Sequence, residues 1–424
     1  MRVLIITPVE GGSGETITAV HMAENLVAKG HLVLFLASPF ACLFIQERFS
    51  QQVQQFSQNG AHNRQIWNTA VEEFRPDVVV FADYPLMFFP FGVSPLVSEP
   101  GWVESLEEID ACLVTLDHFG FAQHEMGFYF GPAHLSYQYQ WFPAIPERMH
   151  ILLPCPMHEP GPVEGRRGEP FRYWEVPLGV PDGLRRDVRQ RYLERDDDLL
   201  VFHSVPNWAW QAAEVYNLSF YDFLPQVLDE YFGNLPKQVT IVSVNNGDLL
   251  TFRESRARII NLDTIPKSEF EGLLFSSDLM ITENKVSISM GKAVCGLQAC
   301  AALINSYRLL ELMDGLKERL KEIMLAMENR RPGTVFPYAV FPSGMSDMLN
   351  EIILYRGNSL TEAFCEVEIF GGEKTASTLS RLLIDPQTRD ELRARQQLYV
   401  DKLRKLGDSE RVLYNLVEQH RRAC

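Results

Sequence analysis

The chain predicts an α/β protein of two doubly wound domains followed by a helical C-terminal tail, and three observations carry that expectation. Apolar runs of strand length alternate with helical periodicity in both halves, opening with VLIIT at 3–7 and again with LLVFH at 199–203. Parallel sheets covered by helices on both faces require this pattern. The length of 424 residues exceeds the roughly 250–300 residues beyond which single cores split. Between the halves, HEPGPVEGRRGEP and GVPDGLRRDVRQRYLERDDD replace the pattern with Pro, Gly and charge, the composition of a connector. The divisions follow: a first domain at 1–160, a connector at 161–198, a second domain at 199–385 and terminal helices at 386–424.

The run at 3–7 is bounded by Pro8 and GGSG, which suits a buried strand. Ala19, Met22, Ala23, Leu26 and Val27 then recur at helical spacing, and Gly30 stands where a helix-ending glycine belongs. A strand at 31–38 completes a βαβ unit. A helix at 65–74 and strands at 77–82, 111–116 and 150–154 extend the first half, and a short polar helix ends the connector. In the second half the expected order is strand 199–203, helix 219–232, strands 238–244 and 258–262, helix 268–276, strand 278–282, and a helix closed by Gly296. Residues 307–328 read as a long amphipathic helix, 336–347 as a loop, and 373–383 and 386–421 as the helical tail.

A formal net charge of -16 repels a phosphate backbone, so nucleic acid is not an expected partner and a small or neutral acceptor fits better. The 7 cysteines are scattered and never form C-x-x-C, so neither a disulfide framework nor a metal site is expected. No leader pattern opens the chain, and no apolar run reaches the ~20 residues that span a bilayer. The expectation is a soluble, cytoplasmic protein with no transmembrane segment.

Three stretches resemble the GT-B glycosyltransferases. MRVLIITPVEGGSGETITAVHMAENLVAKGHLVLFLAS is similar to their opening strand, Gly-rich turn, helix and second strand. RARIINLDTIPKSEFEGLLFSSDLMITEN is similar to their donor-domain signature, and RLLIDPQTRDELRARQQLYVDKLRKLGDSERVLYNLVEQ to their terminal helices, the last of which often crosses back to the first domain. The resemblance implies two Rossmann-like domains facing across a cleft. It also implies transfer of a sugar from a nucleotide-sugar co-substrate, with no cofactor, to a small-molecule or peptide acceptor. Within SSDLMITENKVSISMGKAVCG, Asp278, Thr282 and Gly296 fit the family's pattern, whereas Glu283, Asn284 and Lys285 replace His-Gly-Gly and Gly291 replaces a Glu. Those departures leave room for a sugar-nucleotide epimerase, for a transferase using another activated substrate, or for a non-catalytic binding protein on the same fold.

Candidate residues fall at strand ends, because ligands of open α/β sheets sit at the carboxyl edge. The turn at Gly11, Gly12, Ser13 and Gly14 lacks the Lys-Ser/Thr of a P-loop and the third glycine and acidic residue of a dinucleotide site. Acceptor binding is the third reading, with Thr16, Tyr84 and Asp117 as further contacts. Glu15 stands beside the place where relatives carry a catalytic His; capping the first turn and acting as base are both open to it. His118 follows its strand directly and can act as base, oriented by Asp117 or Asp83. The resemblance places the donor near Ser204, Asn207, Trp208, Thr264, Ile265, Glu283, Asn284, Ser287 and Ser289, with Lys285 offering charge to a diphosphate. The aromatic stretch 128–141 suits an acceptor pocket or a core equally.

Overall fold

The computed structural model describes residues 1–8, 14–57, 62–88, 105–118, 120, 128–130, 137–139, 145–205, 220–244, 256–263, 265–285, 287–304, 316–330 and 357–423. The first lobe carries β1 (Arg2–Thr7), α1 (Gly14–Ala28), β2 (Leu32–Ala37), α2 (Pro39–Phe49), β3 (Val53–Gln55), α3 (Asn63–Phe74), β4 (Val78–Phe81) and β5 (Cys112–Leu116). A separate antiparallel hairpin, β6 (Phe128–Phe130) with β7 (Tyr137–Tyr139), accounts for part of the aromatic stretch. β8 (Met149–Cys155) and β9 (Glu169–Arg172) complete a seven-stranded sheet of order β3-β2-β1-β4-β5-β8-β9, parallel throughout.

The second lobe begins after α4 (Asp182–Tyr192). It runs through β10 (Leu199–Ser204), α5 (Phe220–Phe232), β11 (Val239–Val244), β12 (Arg258–Leu262), α6 (Lys267–Ser276), β13 (Leu279–Thr282), α7 (Ile288–Cys295), β14 (Cys300–Ile304), α8 (Glu318–Arg330) and β15 (Cys365–Glu368). Its six strands are parallel in the order β12-β11-β10-β13-β14-β15. In both lobes the chain therefore starts centrally, winds one way and then reverses. The reversal lies between β1 and β4 in one sheet and between β10 and β13 in the other, and ligands of such sheets bind at that point beyond the carboxyl ends.

Central strands are apolar on both faces because helices cover both. Val3, Leu4, Ile5 and Ile6 are wholly buried, as are Val78 to Phe81. α1 ends as expected at Gly30: its φ is +84°, the His31 amide bonds the Leu26 carbonyl and the Gly30 amide that of Val27, a Schellman closure. α7 ends differently. The same pair of bonds runs from Gln298 to Ala293 and from Leu297 to Val294, so the left-handed residue is Leu297 (φ +56°) and not Gly296. Gly296 is glycine for lack of space, since a Cβ there would lie 2.3 Å from Phe275 Cε1.

The structure corrects several expectations. The stretch 161–198 is more than a tether, because β9 adds a strand to the first sheet and α4 docks on α6. The long helix expected at 307–328 is described only as α8, from Glu318; residues 305–315 lie outside the described residues, as does the loop expected at 336–347. The tail holds α9 (Glu373–Ile384), and the expected helix at 386–421 is two helices, α10 (Pro386–Leu403) and α11 (Ser409–Ala423), separated at Gly407. α11 lies on the first lobe: Val412, Leu413, Leu416 and Val417 join a core cluster shared with Val3 and Ala19. Lys29 Nζ meets Asp408 Oδ2 at 2.6 Å, and Arg421 meets Asp77 at 2.6 Å.

That core cluster is continuous between the lobes, running from α1 (Met22, Ala23) through Trp174 to α6 and α7 (Leu273, Val294). Polar contacts edge it: Lys267 Nζ lies 2.9 Å from Glu24 Oε2, and Lys292 Nζ lies 2.6 Å from Glu271 Oε1 and over the Trp174 ring.

Candidate active site

In the first lobe, three chain segments leaving the carboxyl edge bring Glu15, Asp83 and His118 together. Asp83 follows β4, and Asp117 and His118 follow β5; the Tyr84 amide donates to Thr115 Oγ1 at 3.0 Å and so ties the two strand ends. The His118 amide donates to Asp83 Oδ2 at 3.4 Å, and His118 Nδ1 lies 3.4 Å from the same oxygen. A carboxylate at that place favours the proton on Nδ1 and leaves Nε2 as the basic nitrogen. Glu15 reaches the same pocket from the first turn of α1. Burial raises its pKa, opposed first by the charge of His118 and reinforced by Asp83. Burial lowers the pKa of His118, against the pull of Glu15 and then Asp117. Glu15 Oε2 and His118 Nε2 are buried with no hydrogen-bond partner among the described residues. A buried polar atom left unpaired costs about 1–3 kcal/mol, which a ligand can recover.

His158, in the turn after β8, takes no part in the sequence reading yet belongs here. Its Nε2 donates to the Asp117 carbonyl at 2.6 Å, and burial holds its pKa down at about 3, so the ring is neutral. Of the acceptor candidates, Gly14 and Thr16 open α1, and Asp117 is fully buried beside His118. The Tyr84 ring packs edge-on against Phe81 in the core cluster holding Leu4 and Trp67. Gly12 and Ser13 lie outside the described residues.

In the second lobe, the expected donor residues gather at the ends of β10 and β13. Thr282 Oγ1 donates to the Ser204 carbonyl at 2.8 Å and accepts from the Asn284 amide at 3.1 Å, which fixes the turn between strand and helix. Ser287 caps α7 by accepting from the Ser289 amide at 3.1 Å, and Ser289 Oγ lies 3.4 Å from Ser204 Oγ. The start of α7 is thus lined with hydroxyls and first-turn amides, an arrangement suited to anions. Glu283 is bound inward: its Oε1 lies 2.7 Å from His203 Nε2, while His203 Nδ1 lies 2.8 Å from Ser243 Oγ. Glu283 Oε2 has no partner among the described residues. Lys285 Nζ, the cation expected for a diphosphate, pairs with Glu366 of β15 at 2.7 Å. Ile265 is half-buried against the shared core; Asn207, Trp208 and Thr264 lie outside the described residues.

The two groups adjoin at the starts of α1 and α7. A Cβ on Gly14 would lie 3.3 Å from Ile288 Cδ1, so the first turns of α1 and α7 touch. One turn further on, a Cβ on Gly291 would lie 2.6 Å from Pro156 Cγ, which explains why the Glu implied by the resemblance is absent. His203 and His158 were not singled out from sequence; the signal was a titratable residue at or just after the end of a buried strand, where a partner is obligatory. Among the described residues no three His, Cys, Asp or Glu side chains gather to hold a metal ion, and no helix is long and apolar enough to cross a membrane.

Two parallel sheets of the same winding, with their carboxyl edges turned to one crevice and a last helix returned to the first lobe, define a protein of the GT-B fold. Solved structures of that fold match end to end. They include the spinosyn forosaminyltransferase SpnP (13% identical, 99% of each chain, TM-score 0.54) and Anabaena Alr3699/HepE in complex with UDP and glucose (12%, 99% of each chain, 0.52). Glycosyltransferase VinC in complex with dTDP is a third (13%, 100% of each chain, 0.50). These likenesses are of fold. No curated protein matches in sequence. The chain belongs to the family described as Family of unknown function (DUF6365), whose model matches residues 22–421.

Proposed function

We propose that the protein is a glycosyltransferase that moves a sugar from a nucleotide-activated donor to a small-molecule or peptide acceptor. One observation carries the reading: the first turn of α1, which brings Glu15 to Asp83 and His118, touches the hydroxyl-lined first turn of α7. Group transfer needs both halves, a base for the acceptor and a seat for the departing diphosphate. The similar folds of HepE and VinC hold UDP with glucose and dTDP, which supports a nucleotide as a ligand of this fold.

In this reading the diphosphate sits at Ser204, Asn284, Ser287 and Ser289, with Ile265 toward the nucleotide. The acceptor hydroxyl lies at His118 Nε2. The imidazole removes the hydroxyl proton as oxygen attacks the anomeric carbon, the bond from that carbon to the phosphate oxygen breaks, and the nucleoside diphosphate leaves. Asp83 steadies the imidazolium, and Glu15 receives a hydrogen bond from the acceptor or shares the proton. The inward-bound Glu283 and the paired Lys285 favour, as a second reading, another activated substrate on the same fold. Calorimetric titration with UDP-, dTDP- and GDP-sugars separates the two, and binding of none of them overturns the first. His118→Ala is expected to slow transfer by roughly 10²–10⁴-fold; unchanged turnover in Glu15→Ala, Asp83→Ala and His118→Ala alike would remove this catalytic set.

A further inference from the structure

We infer that His158 is a positioning residue for the proposed reaction, holding the loop of Asp117 and His118 and joining it through Pro156 to the donor helix α7. The inference rests on the reading of His118 as the base. The turn at residues 155–158 is gripped from three sides. From α10, Tyr399 Oη donates to the Pro156 carbonyl at 2.5 Å and lies 3.4 Å from the carbonyl of His158. From within the turn, Cys155 Sγ donates to that same His158 carbonyl at 3.4 Å. From α7, the Pro156 ring fills the place of a side chain at Gly291, 2.6 Å from where its Cβ would lie. What the turn presents inward is the imidazole of His158, only 2% exposed, whose Nε2 donates to the Asp117 carbonyl at 2.6 Å.

A bond to the backbone beside His118 fixes where its ring can stand, and the turn carrying that bond is seated on the helix proposed to hold the diphosphate. The base is thereby registered to the donor rather than to its own strand alone. Placement errors of about 1 Å cost on the order of 100-fold in rate without touching ground-state binding. The bond also asks little of the residue beyond one N–H at the right reach, so a glutamine amide can replace it.

The experiment measures kcat and donor KM for His158→Ala, His158→Gln, His118→Ala and the double alanine variant, with thermal melts as the folding control. His158→Ala is expected to lower kcat by ~100-fold with the donor KM unchanged, and His158→Gln to recover most of the rate. The double variant is expected to be no slower than His118→Ala alone, since both changes act through one group. A loss confined to KM, an additive double variant, or a glutamine no better than alanine overturns the inference. An unchanged kcat in His118→Ala removes the reading of the base, and this inference with it; that failure is recognised in the single variant.

Discussion

Burial moves the protons of Glu15 and His118 in opposite directions, and the difference sets what each can do. The carboxyl is pushed toward its neutral form, and the imidazole likewise. A neutral imidazole is the form that accepts a proton, so a lowered pKa keeps His118 competent further into acid than a free histidine. The expected pH profile of kcat/KM is flat from alkaline pH down through 6.5, the ordinary histidine value, with its acid limb below it. A limb at or above 6.5 refutes the assignment. Glu283 makes a second prediction, this time about stability. Its Oε1 is the acceptor for His203 Nε2 in a site where both side chains are buried. Glu283→Ala leaves that donor unpaired and is expected to cost about 1–3 kcal/mol, read from urea unfolding; Glu283→Gln, which retains an acceptor oxygen, is expected to cost less.

At the scale of the element, Gly296 shows how a glycine can be foreseen for one reason and required for another. Its place at the end of α7 was legible, yet Leu297 takes the left-handed turn and Gly296 gives way to the Phe275 ring. Gly296→Ala is therefore expected to lose about 1–3 kcal/mol by overpacking, and Phe275→Leu to restore part of it; equal melts for the glycine and alanine proteins would refute the account. The same contrast runs through the strands. β1, β4, β5, β10 and β13 were legible because sheets covered on both faces demand apolar runs. β3, β9 and β15, with sequences VQQ, EPFR and CEVE, were not, because edge strands are short and polar. β9 even contains Pro170, which only an edge tolerates. Glu15, Asp83 and His118 could be read as candidates since each directly follows a strand end or opens the helix after one. The partners of His203 lie 40 and 80 residues away, and that separation hides them from any local pattern.

At the scale of the whole molecule, the lobes meet through a continuous core whose rim carries a buried histidine. His21 on α1 faces Trp174 edge-on and lies 3.0 Å from Glu24, which is also bound by Lys267 of α6. Lys292 of α7 stands near enough to disfavour charge on the ring. Burial is the main cause holding the His21 pKa at about 4, ahead of the hydrogen bond to Glu24 that opposes it. The unfolded chain takes up this proton near 6.5 and the folded chain only near 4, so between those values the unfolded state binds more protons and stability falls as pH falls. Across that window the loss from His21 is roughly 3 kcal/mol. Glu24, raised by burial but held down at about 2 by the combined bonds and charges of His21 and Lys267, has the opposite sign of charge but the same direction. Its contribution is intact above 4.5 and is lost only as pH drops through 4.5 toward 2, so the two effects separate in pH. His21→Gln keeps a donor for Glu24 and removes the titration. Its unfolding free energy, measured by urea titration from pH 7 to 4.5, is expected to decline more gently than that of the unaltered protein. Because His118 and His158 titrate in both proteins, the difference between the curves isolates His21. Parallel curves would show that this histidine does not set the acid tolerance of the seam between the lobes.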